Sequence, residues 1–188
     1  MKPRVYHSFR SPYSRLGLHQ VARAELDIDL IPFTGPPNGV PFNDPVQNKP
    51  KLAYYAMDAP RMTIKMGLPI AMPDPFDVDF DFANRALVLA SRSGNGLQFA
   101  LAVSDARWGA GKNVAQLPVL EECARAAGLA PGLIAEAQDN DDVLAEMTRH
   151  REQIEVDQVF GVPFAVYGAA KYWGHDRFDL LIDDVRRS

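Results

Sequence analysis

The spacing of apolar and polar positions changes several times along the chain. The opening run Arg4-Val5-Tyr6-His7-Ser8-Phe9 is β-like, and Ser14 to Glu25 has a helical pattern. Asp27-Ile28-Asp29-Leu30-Ile31-Pro32-Phe33 then alternates polar and apolar, as a half-buried strand does. Strand, helix, strand predicts a βαβ unit with a parallel pair. Residues 34–50 carry Gly35, Pro36, Pro37, Gly39, Pro41, Pro45 and Pro50, which predicts a long loop and therefore a functional segment. Lys51 to Met66 has helical character, with a kink or break expected at Pro60. A second proline-rich loop spans 67–78. Four helix-like segments follow, at 80–93, 96–109, 116–128 and about 140–157, punctuated by Gly94, Gly96, Gly109, Gly111 and Gly128. The tail returns to β: Phe164–Tyr167 and Lys171–Trp173 flank a hairpin-length loop, Gly168-Ala169-Ala170, and a last helix runs from Arg177 to Val185. The predicted order is βαβ, a helical block, then ββα.

Composition narrows the classes this order can serve. At 188 residues, 47% hydrophobic, the chain suits one large domain or a domain with an insertion. A net charge of −4 argues against nucleic-acid binding. Apolar stretches are too short and too interrupted to cross a bilayer. Met1-Lys2-Pro3-Arg4 runs into a strand without a signal-peptide core, so a soluble cytoplasmic protein is expected. The single cysteine, Cys123, allows no internal disulfide, and its helical setting suits a buried, inert thiol. His7, His19 and His150 have no partner at metal-ligand spacing, so no metal is expected.

The chemistry concentrates at Ser11-Pro12-Tyr13-Ser14, where the first strand turns into the first helix. Backbone N–H groups and the helix dipole favour an anion there, and Pro12 suits the first turn. Ser11 and Ser14 hold the two positions that a redox protein gives to Cys-x-x-Cys. The corner resembles a thioredoxin-type active site with serine for cysteine, which would be able to hold a thiolate brought in by a small molecule. Plain N-capping by Ser11 is the alternative. Arg10, next door, is either an attractor of acidic substrates or a solvated charge.

Three stretches together resemble a known family: Phe9-Arg10-Ser11-Pro12-Tyr13-Ser14; Asn48-Lys49-Pro50 leading into Lys51-Leu52-Ala53-Tyr54-Tyr55-Ala56-Met57-Asp58; and Val159-Phe160-Gly161-Val162-Pro163-Phe164 with Tyr172-Trp173-Gly174-His175-Asp176-Arg177. Trp108-Gly109-Ala110-Gly111-Lys112-Asn113 fits the family's middle section. Their order and spacing resemble the 2-hydroxychromene-2-carboxylate isomerases, kin of kappa-class glutathione transferases and of DsbA-like thioredoxin domains. The resemblance implies an α/β, thioredoxin-like fold (βαβ…ββα) with a large all-helical insertion. Residues 1–66 and 158–188 would form the thioredoxin-like domain, and 67–157 the insertion.

The resemblance also implies glutathione as cofactor. Ser11 faces its sulfur, and Val162-Pro163 is the cis-proline step whose backbone pairs with the bound peptide; the alternative is an ordinary proline at a strand start. His175 and Asp176 fall at the glutamyl end, although relatives commonly have a small or amide residue where His175 stands. Capping of the last helix is the other role open to Asp176. Asn48 and Lys51 fall on the glutathione backbone and glycyl carboxylate, with Lys49 a substitute for Lys51 because this loop is shorter than in kappa relatives; solvated lysines are the alternative. Tyr54, Tyr55, Phe82 and Trp108 are core or pocket wall.

The implied activity is glutathione-dependent cis–trans isomerisation of an aromatic-catabolic substrate. In it the thiolate adds to a conjugated carbon, the bond rotates, and elimination returns glutathione. A kappa-like transferase and a non-catalytic thiol- or peptide-binding module are the alternatives. A homodimer is expected from the relatives alone.

Overall fold

The structure, a computed structural model, describes residues 1–42 and 44–188; Asn43, inside the loop read at 34–50, lies outside them. The strands are β1 (Arg4–His7), β2 (Asp29–Pro32), β3 (Phe164–Tyr167) and β4 (Ala170–Trp173). The helices are α1 (Pro12–Arg23), α2 (Lys49–Lys65), α3 (Asp81–Arg92), α4 (Gly96–Trp108), α5 (Leu117–Ala126), α6 (Asp141–Asp157) and α7 (Phe178–Arg187). Short 3₁₀ turns at Pro45–Gln47, Leu133–Ala137 and His175–Arg177 complete the described elements.

The sheet order is β2-β1-β3-β4, with β1 parallel to β2 and antiparallel to β3. The order βαβ, five helices (α2–α6), ββα is therefore a thioredoxin-like arrangement with a run of helices between its halves. Both faces of the sheet are covered, and side chains alternate between two cores with the period of a strand. Val5, Leu30 and Ala165 enter the larger core with Leu18, Val21, Leu87, Phe99, Phe178 and Leu181. Tyr6, Ile31, Phe164 and Val166 enter a smaller one, closed by Ile154 and Val159. The strand read as half-buried is thus buried on both sides from Leu30 to Pro32. Covering the second face is the end of α6, whose Asp157 accepts from Arg4 Nε at 2.7 Å and from the Tyr6 hydroxyl.

Local chemistry sets the boundaries. Ser11, Asn48 and Asn140 cap α1, α2 and α6, each side chain accepting from the backbone N–H three residues on. Pro60 does not break α2, which runs continuously from Lys49 to Lys65. The carbonyl it leaves unbonded, four residues back at Ala56, belongs to an exposed residue that water can serve. The last hairpin is tighter than read: Tyr167 pairs with Ala170, leaving only Gly168 and Ala169 in the turn. Gly168, at φ +59°, supplies the left-handed conformation such a turn demands.

Candidate active site at the head of the first helix

The β1–α1 corner forms as a strand-to-helix turn. Ser11 lies in extended backbone, and its Oγ accepts from Ser14 N at 3.1 Å. Ser14 is buried, and its Oγ in turn accepts from Ser8 N at 3.2 Å. The two hydroxyls that stand in cysteine positions therefore do different work: Ser14 ties the corner inward, while Ser11 caps the helix and stays partly exposed. Its cap bond uses an oxygen lone pair and leaves the Ser11 O–H able to donate.

The Val162–Pro163 peptide bond is cis. Tyr6 pairs with Phe164 in the β1–β3 register, so one step further sets Pro163 beside His7, at the end of the sheet where β1 enters the Ser11 corner. Pro163 also packs on α1: a Cβ built on Gly17 would lie 3.3 Å from Pro163 Cβ and 2.8 Å from Phe178 Cε2. Only glycine leaves room for that approach. The Pro163 carbonyl accepts from Gly174 N at 2.9 Å, which carries the chain directly to His175.

Tyr13 is the hub. Its ring stacks on His175, centroids 5.2 Å apart and planes 18° from parallel, and meets Tyr55 edge-on at 5.3 Å. Its hydroxyl donates to Asp58 Oδ2 at 2.8 Å. Burial and the bond to Asp58 both push the Tyr13 phenol up from its ordinary pKa, so it remains protonated. Lys51, one turn before Tyr55 on α2, holds its ammonium 5.6 Å from that ring's centre. Asn48 caps the same helix, accepting from Lys51 N at 3.1 Å. Residues far apart in sequence, Lys51, Tyr55, Tyr13, His175 and Pro163, thereby form one connected rim beside Ser11.

His175 is buried, and its Nε2 has no hydrogen-bond partner among the described residues. Burial lowers its pKa, so the ring is neutral near pH 7. Asp176 does not cap the last helix: α7 begins at Phe178 without a side-chain cap, and Asp176 pairs with Arg177 at 2.9 Å instead. Tyr54 is exposed on α2 rather than part of the core. Trp108, read as wall, has a bonding role, since its Nε1 donates to the Phe9 carbonyl at 3.0 Å and fastens α4 to the corner. Beside the cis bond, half-exposed Phe160 and Trp173 meet edge to face at 4.8 Å, an aromatic ledge that sequence periodicity gave no reason to place there.

Cys123 is buried on α5, and burial raises its thiol to about 11. Among the described residues no group of histidine, cysteine and carboxylate side chains is arranged to hold a metal ion, and no helix is long and apolar enough to cross a membrane.

A family profile for the DSBA-like thioredoxin domain matches residues 4–186. No curated protein is recognisably similar in sequence. Among solved structures, a 2-hydroxychromene-2-carboxylate isomerase superposes with a TM-score of 0.79 at 21% identity, over 100% of this chain and 95% of that one. A probable DsbA oxidoreductase from Streptomyces coelicolor gives 0.77 at 16% identity, over 100% and 89%. The cytosolic disulfide reductase DsbM from Pseudomonas aeruginosa, in a structure with GSH, gives 0.69 at 17% identity, over 99% and 100%. Together with the sheet order and the cis-proline step, the profile match over nearly the whole chain shows that this protein belongs to the DSBA-like thioredoxin domain family.

Proposed function

We propose that the protein is a glutathione-dependent isomerase of the 2-hydroxychromene-2-carboxylate type, acting on a conjugated small molecule. The observation that carries this reading is the pair of serines where a dithiol would stand, at the head of a helix and at the same end of the sheet as a cis-proline. Dithiol exchange has no chemistry here, because the lone cysteine is buried on α5. A site that keeps the thioredoxin frame but lacks its sulfur suits a sulfur supplied from outside.

The residues present fit glutathione. The heads of α1 and α2 and the Lys51 ammonium favour anions, and the unpartnered His175 Nε2 is a buried polar atom at the rim. When bound, glutathione supplies a thiolate that adds reversibly to a conjugated carbon and so permits rotation about a former double bond. Ser11 donates its O–H to that sulfur while its oxygen keeps the bond from Ser14 N, so the anion is stabilised without moving the corner. Val162, preceding the cis bond, offers its backbone to the peptide part. Lys51 and Asn48 receive the glycyl end, and His175 and Asp176 the glutamyl end. A homodimeric assembly accompanies this reading.

The test is turnover with catalytic glutathione, followed as loss of one geometric isomer and gain of the other. Ser11→Ala should lower kcat and shift the acidic limb of the pH–rate profile to higher pH, because the bound thiol loses a donor to its anion. An unchanged profile would overturn the role of Ser11. Glutathione consumed one for one with substrate would instead indicate a kappa-like transferase.

A further inference from the structure

Arg107 is fully buried on α4, and its guanidinium is almost unserved. One terminal nitrogen donates to the Phe76 carbonyl at 2.5 Å, while Nε and the other terminal nitrogen have no partner among the described residues. The Phe80 and Trp108 rings flank it at 4.8 and 5.3 Å. No carboxylate pairs with it among the described residues. The contrast is Arg15, equally buried, which meets Asp105 and the Pro69 carbonyl. A buried cation without a counter-anion is costly, so its retention calls for an explanation in function.

Its position supplies one. Trp108, the next residue, bonds the Phe9 carbonyl, and Arg107 itself feels the charges of Asp77 and Arg10. Arg10 belongs to the same charge group. Its fork takes Asp77 through Nε at 3.2 Å and a terminal nitrogen at 2.9 Å, and Asp44 lies 3.3 Å from its other end. One short segment thus serves both arginines, the Phe76 carbonyl for Arg107 and the Asp77 carboxylate for Arg10. The Asp77 side chain is half-exposed, so it can exchange with an incoming anion. The Phe76 carbonyl that serves Arg107 belongs to the peptide unit leading into Asp77.

We propose that Arg10 and Arg107 together seat the carboxylate of a carboxylate-bearing substrate, and that Asp77 is the internal carboxylate this substrate displaces. The two-pronged Arg10–Asp77 contact already has the geometry by which a guanidinium recognises a carboxylate. The Phe80 and Trp108 rings beside Arg107 give the apolar wall that an aromatic acid needs beside its charge. This deepens the reading of the Ser11 site and rests on it for the identity of that site.

The probe is cinnamate, with cinnamamide as its uncharged match, titrated by calorimetry into the full chain. Wild type should bind cinnamate and discriminate against the amide. Asp77→Asn should bind cinnamate about fivefold more tightly, because a competitor is gone. Arg10→Gln and Arg107→Lys should each bind it about tenfold more weakly, with amide binding the same in all. Should Arg107→Lys not fold, Asp77→Asn and Arg10→Gln decide between them. Equal affinity for acid and amide, or no gain in Asp77→Asn, would overturn the seat. Glutathione titrated into the same samples separates the two readings: retained glutathione binding without acid discrimination sinks the seat alone.

Discussion

Arg15 on α1 donates through Nε to Asp105 Oδ1 on α4 at 2.6 Å, across 90 residues of sequence. His19, one turn further along α1, lies 2.9 Å from the same oxygen. Arg15 also follows Ser11 by one turn, so this contact sets how the helical block sits against the active corner. Burial works against the Asp105 charge, but the bonds from His19 and Arg15 outweigh it and hold the carboxyl below its usual range.

Asp105→Asn should therefore destabilise the fold by about 3 kcal/mol, the low end for breaking a buried pair, because Asp105 is partly exposed while Arg15 is not. Urea denaturation reads this as a lower midpoint at unchanged slope. A loss under about 1 kcal/mol, the range of a surface pair, would mean that water already serves Arg15.

Gly17→Ala offers a test of the packing at the cis-proline. Alanine is the better helix former by about 1 kcal/mol. Here its Cβ would meet Phe178, which is fully buried, and Pro163, whose carbonyl is held by Gly174 N. Overpacking of this kind costs about 1–3 kcal/mol, so the net effect is destabilising. A rise in thermal midpoint would show that Phe178 has room to yield.

Much of this was legible in the chain. The element order and the serine corner follow from local signals that tertiary packing did not override, whereas the cis-proline step came from the family resemblance and had no local signal of its own. The break offered at Pro60 did not occur, because the carbonyl it frees lies on exposed Ala56, where water can serve it. The strand at 29–32 misled because Asp27 and Asp29 lie at its entrance and not on a wet face. Arg107 and Tyr13 were not legible as a buried cation and a hub. Their roles depend on which loop covers them and which ring stacks, and neither leaves a periodic trace.

Acid should weaken the fold well above the carboxylate range. His7 is fully buried with both ring nitrogens unpartnered among the described residues, and burial lowers its pKa to about 3. The native ring stays neutral while the unfolded one takes a proton below about pH 6.5. Stability is thus fully present above that pH and declines as pH falls toward 3, by up to about 1.4 kcal/mol per unit. The lowered pKa values of His150 and His175 act in the same direction. Thermal midpoints from pH 7 to 4 should fall for wild type and fall less steeply for His7→Phe, which removes the proton but keeps a ring against Phe9. Parallel slopes would mean that His7 takes up its proton in the folded protein.

Tyr13 makes two separable contributions, and two substitutions divide them. Tyr13→Phe removes the bond to Asp58 but keeps the ring between His175 and Tyr55. A half-buried bond to a carboxylate should cost about 1.5 kcal/mol of stability. Asp58 retains Arg61 at 3.3 Å, which limits the damage. Because the stack survives, glutathione affinity should fall by no more than about threefold. Tyr13→Ala also removes the ring that stacks on His175 and meets Tyr55 edge-on, and so the contact that joins α2 to His175. Its glutathione affinity should fall by more than about tenfold, beyond the 1.4 kcal/mol that one such factor represents. If the two variants bind glutathione alike, the ring does not position the rim, and the connection from Lys51 to His175 is structural only.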